Sequence, residues 1–357
     1  MSGMDNEAAV RIVVSGSGYS VVSRHGYPRP DLNELASLGE LRFDKMPELD
    51  QWLLEKVLRI PKNRKFMGLQ DKLAVVAAAR ALIASDLIAE SDGHGFQHLS
   101  PLLAQRCGVY MAVGYIPFEY EEIAQLSQNS QIDGRFSMPQ FSSLGIAEVN
   151  PLLTFRCLPN MPAFHVSMNF SLQGPYVVSY PDIGQFYQVL QQAVTALRLK
   201  QIDFALVGGV ADQNNFLVRH QLRKLNINSQ ALDCAAFLLL ERKSHTLSRG
   251  IKPQLDLIAT QSSYQSHDIL SRIPDYQESV SVNDKGLQFS DIVYAGPASL
   301  ALALSLLSEQ SNFSGEIQHR VSSTGNINAA SHWQAAARSM MALSELDSHL
   351  YSKIGEQ

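Results

Sequence analysis

Cysteine is scarce in this chain. Cys107, Cys157 and Cys234 are the only three, widely spaced and without a C-x-x-C pair, which excludes a disulfide framework and argues against a structural zinc site. A large excess of either charge is missing too. The formal net charge is -5, so nucleic acid is not expected as the main partner. Long apolar runs are missing: the best candidate, Leu73 to Leu87, is broken by Arg80 and Asp86, so no membrane span is expected. A secretory leader is not expected either, because Asp5 and Glu7 stand where basic residues belong and "RIVVSGSGY" is too short for its apolar core. The expected compartment is a reducing cytoplasm. Neither a solenoid period nor a low-complexity tract is visible.

Short apolar runs alternate with helical periods, the pattern of an α/β protein with largely buried sheets. Strands are expected at Arg11 to Ser15, Gly108 to Val113, Gly174 to Ser179, Phe204 to Gly208, Ala235 to Glu241, Gln254 to Ala259 and Gln318 to Ser323. "GLQDKLAVVAAARALIASDL" reads as a helix, and Phe186, Val189, Leu190, Ala193 and Leu197 fall on one helical face. "PASLALALSLLSE" reads as another, with Pro297 in its first turn. Gln261 to Leu287, polar and rich in Ser and Asp, reads as a loop or an irregular connection. A division near Arg249-Gly250 gives two units, residues 1–250 and residues 251–357. "SGSG" at Ser15 to Gly18 lacks the third glycine and the acidic residue of a dinucleotide loop. It reads as a tight turn after the first strand, and no cofactor is expected.

The segment "LPNMPAFHVSMNFSLQGPYVVSYPDIGQFYQVLQQAVTALRLKQIDFALVGGV" resembles the nucleophile region of a β-ketoacyl synthase. "VRIVVSGSGY", "MGLQDKLAVVAAARALI" and "LDCAAFLLLERKSHTLSRGIKPQLDLI" resemble further ketosynthase segments, so the likeness extends over most of residues 10 to 260. It implies a thiolase fold, α/β, with two related halves in a five-layered αβαβα arrangement, the second half truncated. In such enzymes the nucleophilic cysteine lies nine residues after the Gly of a Gly-Pro pair. Counting from Gly174-Pro175 gives Ile183, whose side chain cannot form an acyl thioester.

Other catalytic parts of the family are missing as well. No H-G-T motif occurs, "DIVYAGPASLALAL" has no histidine from Asp291 to Ala295, and Gly325-Asn326-Ile327-Asn328 lacks the Phe of the Gly-Phe-Gly-Gly turn. Acid/base groups and oxyanion donors each contribute orders of magnitude in rate. Their joint absence resembles the chain-length factor, the inactive ketosynthase-like subunit of type II polyketide synthases. The truncated second half is closer to the divergent subunits of aryl polyene systems.

That resemblance implies no catalytic residue in this chain, a heterodimer with an active ketosynthase subunit, and an acyl carrier protein met mainly through the complex. Phe118, Tyr120, Ile123 and Leu126 would line the distal tunnel at the interface with Ile183 packing the vacated elbow; the ordinary alternative for the first four is plain core. "PKNRK" (Pro61 to Lys65) and "RHQLRK" (Arg219 to Lys224) would meet an acidic carrier protein, or are solvated helix faces. His165 reads as a packing residue and Cys234 as a buried inert thiol; Cys157 precedes Pro159 in a loop. Two other functions stay open. One is a residual acyltransferase, thioesterase or decarboxylase acting on acyl-carrier protein through Cys157, Cys234 or a serine. The other is a stand-alone acyl-binding homodimer.

Overall fold

Ten strands hydrogen-bond into one sheet, and the path through them is traced twice. In the computed structural model these are β1 (Ile12–Val21), β2 (Cys107–Val113), β3 (Tyr176–Ser179), β4 (Phe204–Ala211), β5 (Cys234–Arg242), β6 (Leu255–Tyr264), β7 (Gln277–Val282), β8 (Lys285–Leu287), β9 (Glu316–Ser322) and β10 (Ile327–Ala335). The structure describes residues 10–22, 48–91, 95–96, 99–116, 120–149, 152–156, 158–213, 215–224, 230–264, 277–282, 285–287, 293–309, 313–322 and 327–336. Strand order is β8-β7-β9-β10-β6-β1-β5-β4-β2-β3. Outward from the central pair, β1-β5-β4-β2-β3 on one side and β6-β10-β9-β7-β8 on the other follow the same rule: first, fifth, fourth, second, third. The two five-strand sheets meet through the short antiparallel register Ile12↔Leu257, Val13↔Asp256 and Val14↔Leu255.

The first sheet is mixed. β2 runs parallel to both β3 and β4, while β5 is antiparallel to β4 and β1. The second sheet keeps the order but not the directions, since β7 is antiparallel to both β9 and β8. The reason is chain length. Only residues 283–284 join β7 to β8, which permits a hairpin but not the crossover of a dozen or more residues that a parallel pair needs. Likewise residues 22–106 separate β1 from β2, but only residues 265–276 separate β6 from β7. The β6–β7 connection thus has far less room for helices than the β1–β2 connection.

The principal helices are α1 (Glu48–Val57), α2 (Leu69–Ala84), α3 (Tyr120–Asn129), α4 (Met161–Phe170), α5 (Ile183–Arg198), α6 (Phe216–Lys224) and α7 (Ser299–Glu309). The first sheet has α2 on one face, with α1 and α4 packed on α2, and α5 and α7 on the other. α5 also touches β6, β9 and β10, so it lies in the middle layer. Its expected apolar face is buried throughout. Among the described residues no helix covers the outer face of the second sheet. The alternating burial of β9 and β10 records one packed and one solvated side.

Two sequence expectations need correcting. "SGSG" is not a turn: Ser15–Gly18 lies inside β1, beside a bulge between Val14 and Gly16. Its glycines serve close packing, because a Cβ at Gly16 would stand 2.4 Å from the Ala81 carbonyl oxygen and one at Gly18 2.6 Å from that of Ala77. α2 therefore lies almost on the backbone of β1. Nor is Gln261 to Leu287 wholly a loop: β6 continues to Tyr264, and β7 and β8 occupy part of the rest. Pro297 sits in a 3₁₀ turn, Gly296–Ala298, that precedes α7.

Candidate functional site

The edge strand β3 leads through a cis Tyr180-Pro181 peptide to Asp182, and α5 starts at Ile183. Asp182 forms the helix cap. Its extended backbone lets Oδ1 accept the Ile183 N–H at 2.6 Å, and a carboxylate suits the positive end of a helix. Tyr294 donates its phenolic hydrogen to the same oxygen at 3.2 Å. Burial, and then the Asp182 charge, hold the Tyr294 hydroxyl well above the usual phenol range. The Ile183 side chain is fully buried within the main core.

One helical turn further, Tyr187 enters a buried hydrogen-bonded chain. Its hydroxyl lies 2.6 Å from His319 Nδ1 and 2.9 Å from Ser331 Oγ, while His319 Nε2 stands 2.8 Å from Glu278 Oε1. Trp333 Nε1 donates to Ser331 Oγ at 2.9 Å. All five side chains are buried. With Glu278 ionised, every hydrogen can point one way, from Trp333 through Ser331, Tyr187 and His319 to the carboxylate. Desolvation raises the Tyr187 hydroxyl far above its ordinary value, so it serves as a neutral donor. The chain ties α5 of the first half to β7, β9 and β10 of the second.

Beside the elbow, β2 and β4 end at a topological switch, since β3 follows β2 in sequence but β4 returns on its other side. Gln213 lies there, fully buried, its backbone N–H held by Asp233 Oδ1 at 2.6 Å. Glycines make room for it. A Cβ at Gly296, whose φ is +52°, would stand 2.4 Å from Gln213 Nε2, and one at Gly114 3.1 Å.

The other sequence candidates are scattered. Tyr120 is exposed, Ile123 and Leu126 are half-buried, and Phe118 lies outside the described residues. Cys234 is a free buried thiol raised by desolvation beyond its usual range, and burial pushes Cys107 up to about 12. Cys157 lies outside the described residues. His165 is buried on α4, with Nε2 3.9 Å from Asp71 Oδ2 on α2. Burial lowers the His165 imidazole to about 4 and raises the Asp71 carboxyl to about 7. Lys62, Lys65, Arg219, Arg223 and Lys224 of the two basic clusters are exposed.

No local motif marks the Tyr187, His319 and Glu278 chain, because its members are far apart in sequence. Tyr294 lies equally unmarked inside "DIVYAGPASLALAL". A depression of about 710 Å³ lies on the second sheet, lined by Gln261, Gln318, Arg320, Asn328 and His332 among others, away from the elbow. Among the described residues no cluster of three or more His, Cys, Asp or Glu is placed to hold a metal, and no helix is long and apolar enough to cross a membrane.

A twice-traced five-strand path, with a strand-to-helix elbow opening a buried central helix, defines a thiolase-like protein whose elbow carries an alkyl group. Comparisons with known proteins give the family. The β-ketoacyl synthase N-terminal domain profile matches residues 44–238, more than half of the chain, and the protein belongs to the β-ketoacyl synthase family. Comparison with curated protein sequences gave no match.

Solved structures share the fold at low identity. A β-ketoacyl synthase from Burkholderia phymatum STM815 superposes with a TM-score of 0.61 at 14% identity, covering 92% of this chain and 100% of its own. The ishigamide ketosynthase/chain length factor gives 0.58 at 13%, covering 92% and 100%. AntDE:AntF, a type II polyketide synthase acyl-carrier protein in complex with its ketosynthase bound to the hexaketide, gives 0.57 at 18%, covering 91% and 99%.

Proposed function

We propose that this chain is a non-catalytic chain-length factor that pairs with an active ketosynthase and shapes the acyl tunnel during polyketide elongation, of the aryl polyene type, in the cytoplasm. The observation that carries this reading is Ile183, buried at the first position of α5 where the family's nucleophile would stand. Around it are a carboxylate and a phenol bonded to each other. Neither supplies the thiolate or the imidazoles that decarboxylative condensation uses. In this reading residues 1–250 and residues 251–357 are the two thiolase-like halves, and Phe118, Tyr120, Ile123 and Leu126 line the distal tunnel.

The first sheet's outer edge supports pairing. Among the described residues β3 has a neighbour only on the β2 side, and Tyr176 and Tyr180 at its two ends are exposed. An open strand edge is a template for another chain. One of the similar structures is a ketosynthase/chain length factor and another a ketosynthase with its acyl-carrier protein, and both partners suit this chain.

Two measurements test the reading. Co-expression with the ketosynthase encoded nearest to it should yield a stoichiometric complex, and intact mass after incubation with acyl-carrier protein should show no acyl adduct on this chain. A soluble, stable monomer together with a stoichiometric adduct would replace it with the residual-enzyme reading. That reading has little to draw on in Cys107 and Cys234, both buried with raised pKa values.

A further inference from the structure

On the solvated face of the second sheet the strand register builds a cup. β10 lies between β6 and β9, with Ala330 opposite Gln261 on one side and opposite Arg320 on the other. Side chains two residues apart share a face, so Asn328 and His332 flank Ala330 along β10, and Gln318 stands opposite His332. Directly paired side chains have Cβ atoms about 5 Å apart. Polar side chains on every side therefore ring one methyl group, and this low floor inside a taller rim accounts for the depression of about 710 Å³.

The rim is chemically one-sided. Protein surfaces ordinarily mix cations with carboxylates, yet Arg320 is exposed and has no carboxylate partner among the described residues. Glu316, on the same face of β9, is already engaged, with Oε2 3.0 Å from His332 Nε2. Gln261, Gln318 and Asn328 each present a carboxamide that can both donate and accept, and among the described residues none of the three is spent on a neighbour. The lining holds no Phe, Tyr, Trp, Leu, Ile or Met. Neither an aromatic ring nor an acyl chain finds an apolar wall there.

We infer that this cup binds a small hydroxylated oxyanion, a sugar phosphate or a sugar acid, with the anionic head on Arg320 and the hydroxyls on the surrounding carboxamides. A guanidinium presents forked N–H donors that match the oxygens of a phosphate or a carboxylate. Hydroxyl groups, like carboxamides, both give and take hydrogen bonds. The volume lies in the range of small-molecule sites, roughly 300–1,000 Å³. Because β10 is hydrogen-bonded to a strand on each side, the rim positions are fixed before a ligand arrives. The cup lies away from the elbow and uses none of its residues, so it stands or falls apart from the heterodimer reading.

The test titrates glucose-6-phosphate, gluconate, glucose and inorganic phosphate by calorimetry onto the full chain, whether it purifies alone or with a ketosynthase. One of the two sugar anions should bind with a Kd of about 1 mM or below, and glucose and phosphate at least ~10-fold more weakly. Which anion binds identifies the head group as phosphate or carboxylate. Arg320→Gln should weaken binding by about 10-fold or more, the size of one lost charge-assisted contact, and Ala330→Phe, which fills the floor, should abolish it. Both side chains lie on the solvated face, so far-ultraviolet circular dichroism should not change. The Ala330 methyl resonance of the wild type, assigned through Ala330→Ser, gives a readout that needs no bulky variant and should shift on titration. No heat and no methyl shift with either sugar anion up to about 10 mM, or equal affinity of wild type and Arg320→Gln, would overturn the site. Phosphate or glucose binding as tightly as the sugar anions would overturn the joint recognition of charge and hydroxyls.

Discussion

Tyr187 and His319 stack at 14° with ring centroids 5.8 Å apart, and the phenol hydroxyl points to Nδ1. One belongs to α5 and the other to β9, so the contact fastens the two halves behind the elbow. Tyr187→Phe removes the hydroxyl that bonds both His319 Nδ1 and Ser331 Oγ and should cost about 2–3 kcal/mol. His319→Ala removes the imidazole from buried Glu278 and leaves a cavity, so a loss of about 3 kcal/mol or more is expected. Because both changes cut one chain, the double variant should lose less than their sum. Urea unfolding of the four proteins measures the cycle; strict additivity would show that the chain is not a coupled unit.

The cap at the elbow can be tested in the same way. Asp182→Ala removes the acceptor of both the Ile183 N–H and the Tyr294 hydroxyl. Loss of a cap costs about 1 kcal/mol, and the lost bond from the Tyr294 hydroxyl should raise this to about 2 kcal/mol. Tyr294→Phe keeps the cap and should cost about 1 kcal/mol. Thermal denaturation that ranks Tyr294→Phe as the worse variant would mean that the phenol, not the cap, organises the turn.

Much of this was legible in the sequence. The alternation of apolar runs with helical periods gave the α/β class, and nine residues counted from Gly174 reached the first residue of α5. What stayed hidden has physical causes. Gly16 and Gly18 read as a turn because sequence shows glycine's freedom but not the helix that lies on it; Ala77 and Ala81 are more than fifty residues away. β7 read as a loop because Glu278, Ser279 and Ser281 are polar, and the burial of Glu278 depends on a bond to His319 on a neighbouring strand. A short hairpin, Gln131–Ile132 with Arg135–Phe136, carries a visible turn signal at Asp133-Gly134, but its strands are two residues long, below what alternation can mark.

The pair Asp71 and His165 should give the protein a readable pH signature. A carboxyl raised to about 7 in the folded state contributes stability that is complete below its unfolded pKa near 4 and is lost as pH rises through 7. An imidazole lowered to about 4 does the reverse: its contribution is complete above about 6.5 and is lost as pH falls through 4. Between pH 4 and 6.5 the two slopes oppose each other. Asp71→Asn removes one, so stability relative to wild type should climb across that window, by about 2–4 kcal/mol at full effect. Denaturant melts at half-unit pH steps follow it, and a difference curve flat from pH 4 to 8 would show that Asp71 is not desolvated as described.

The elbow itself offers the sharpest test of inactivity. Ile183→Cys places a thiol at the family's nucleophile position without the groups that make it a nucleophile. The site is buried, and Asp182 adds a negative charge beside it; both influences keep a thiol protonated. Replacing isoleucine by the smaller side chain should also cost about 1–2 kcal/mol through lost packing. The purified variant, given malonyl- and acyl-carrier protein, should show condensation no faster than wild type and no acyl thioester by intact mass. Turnover above the wild-type background would mean that acid/base and oxyanion groups are present after all, and the proposed non-catalytic role would fall.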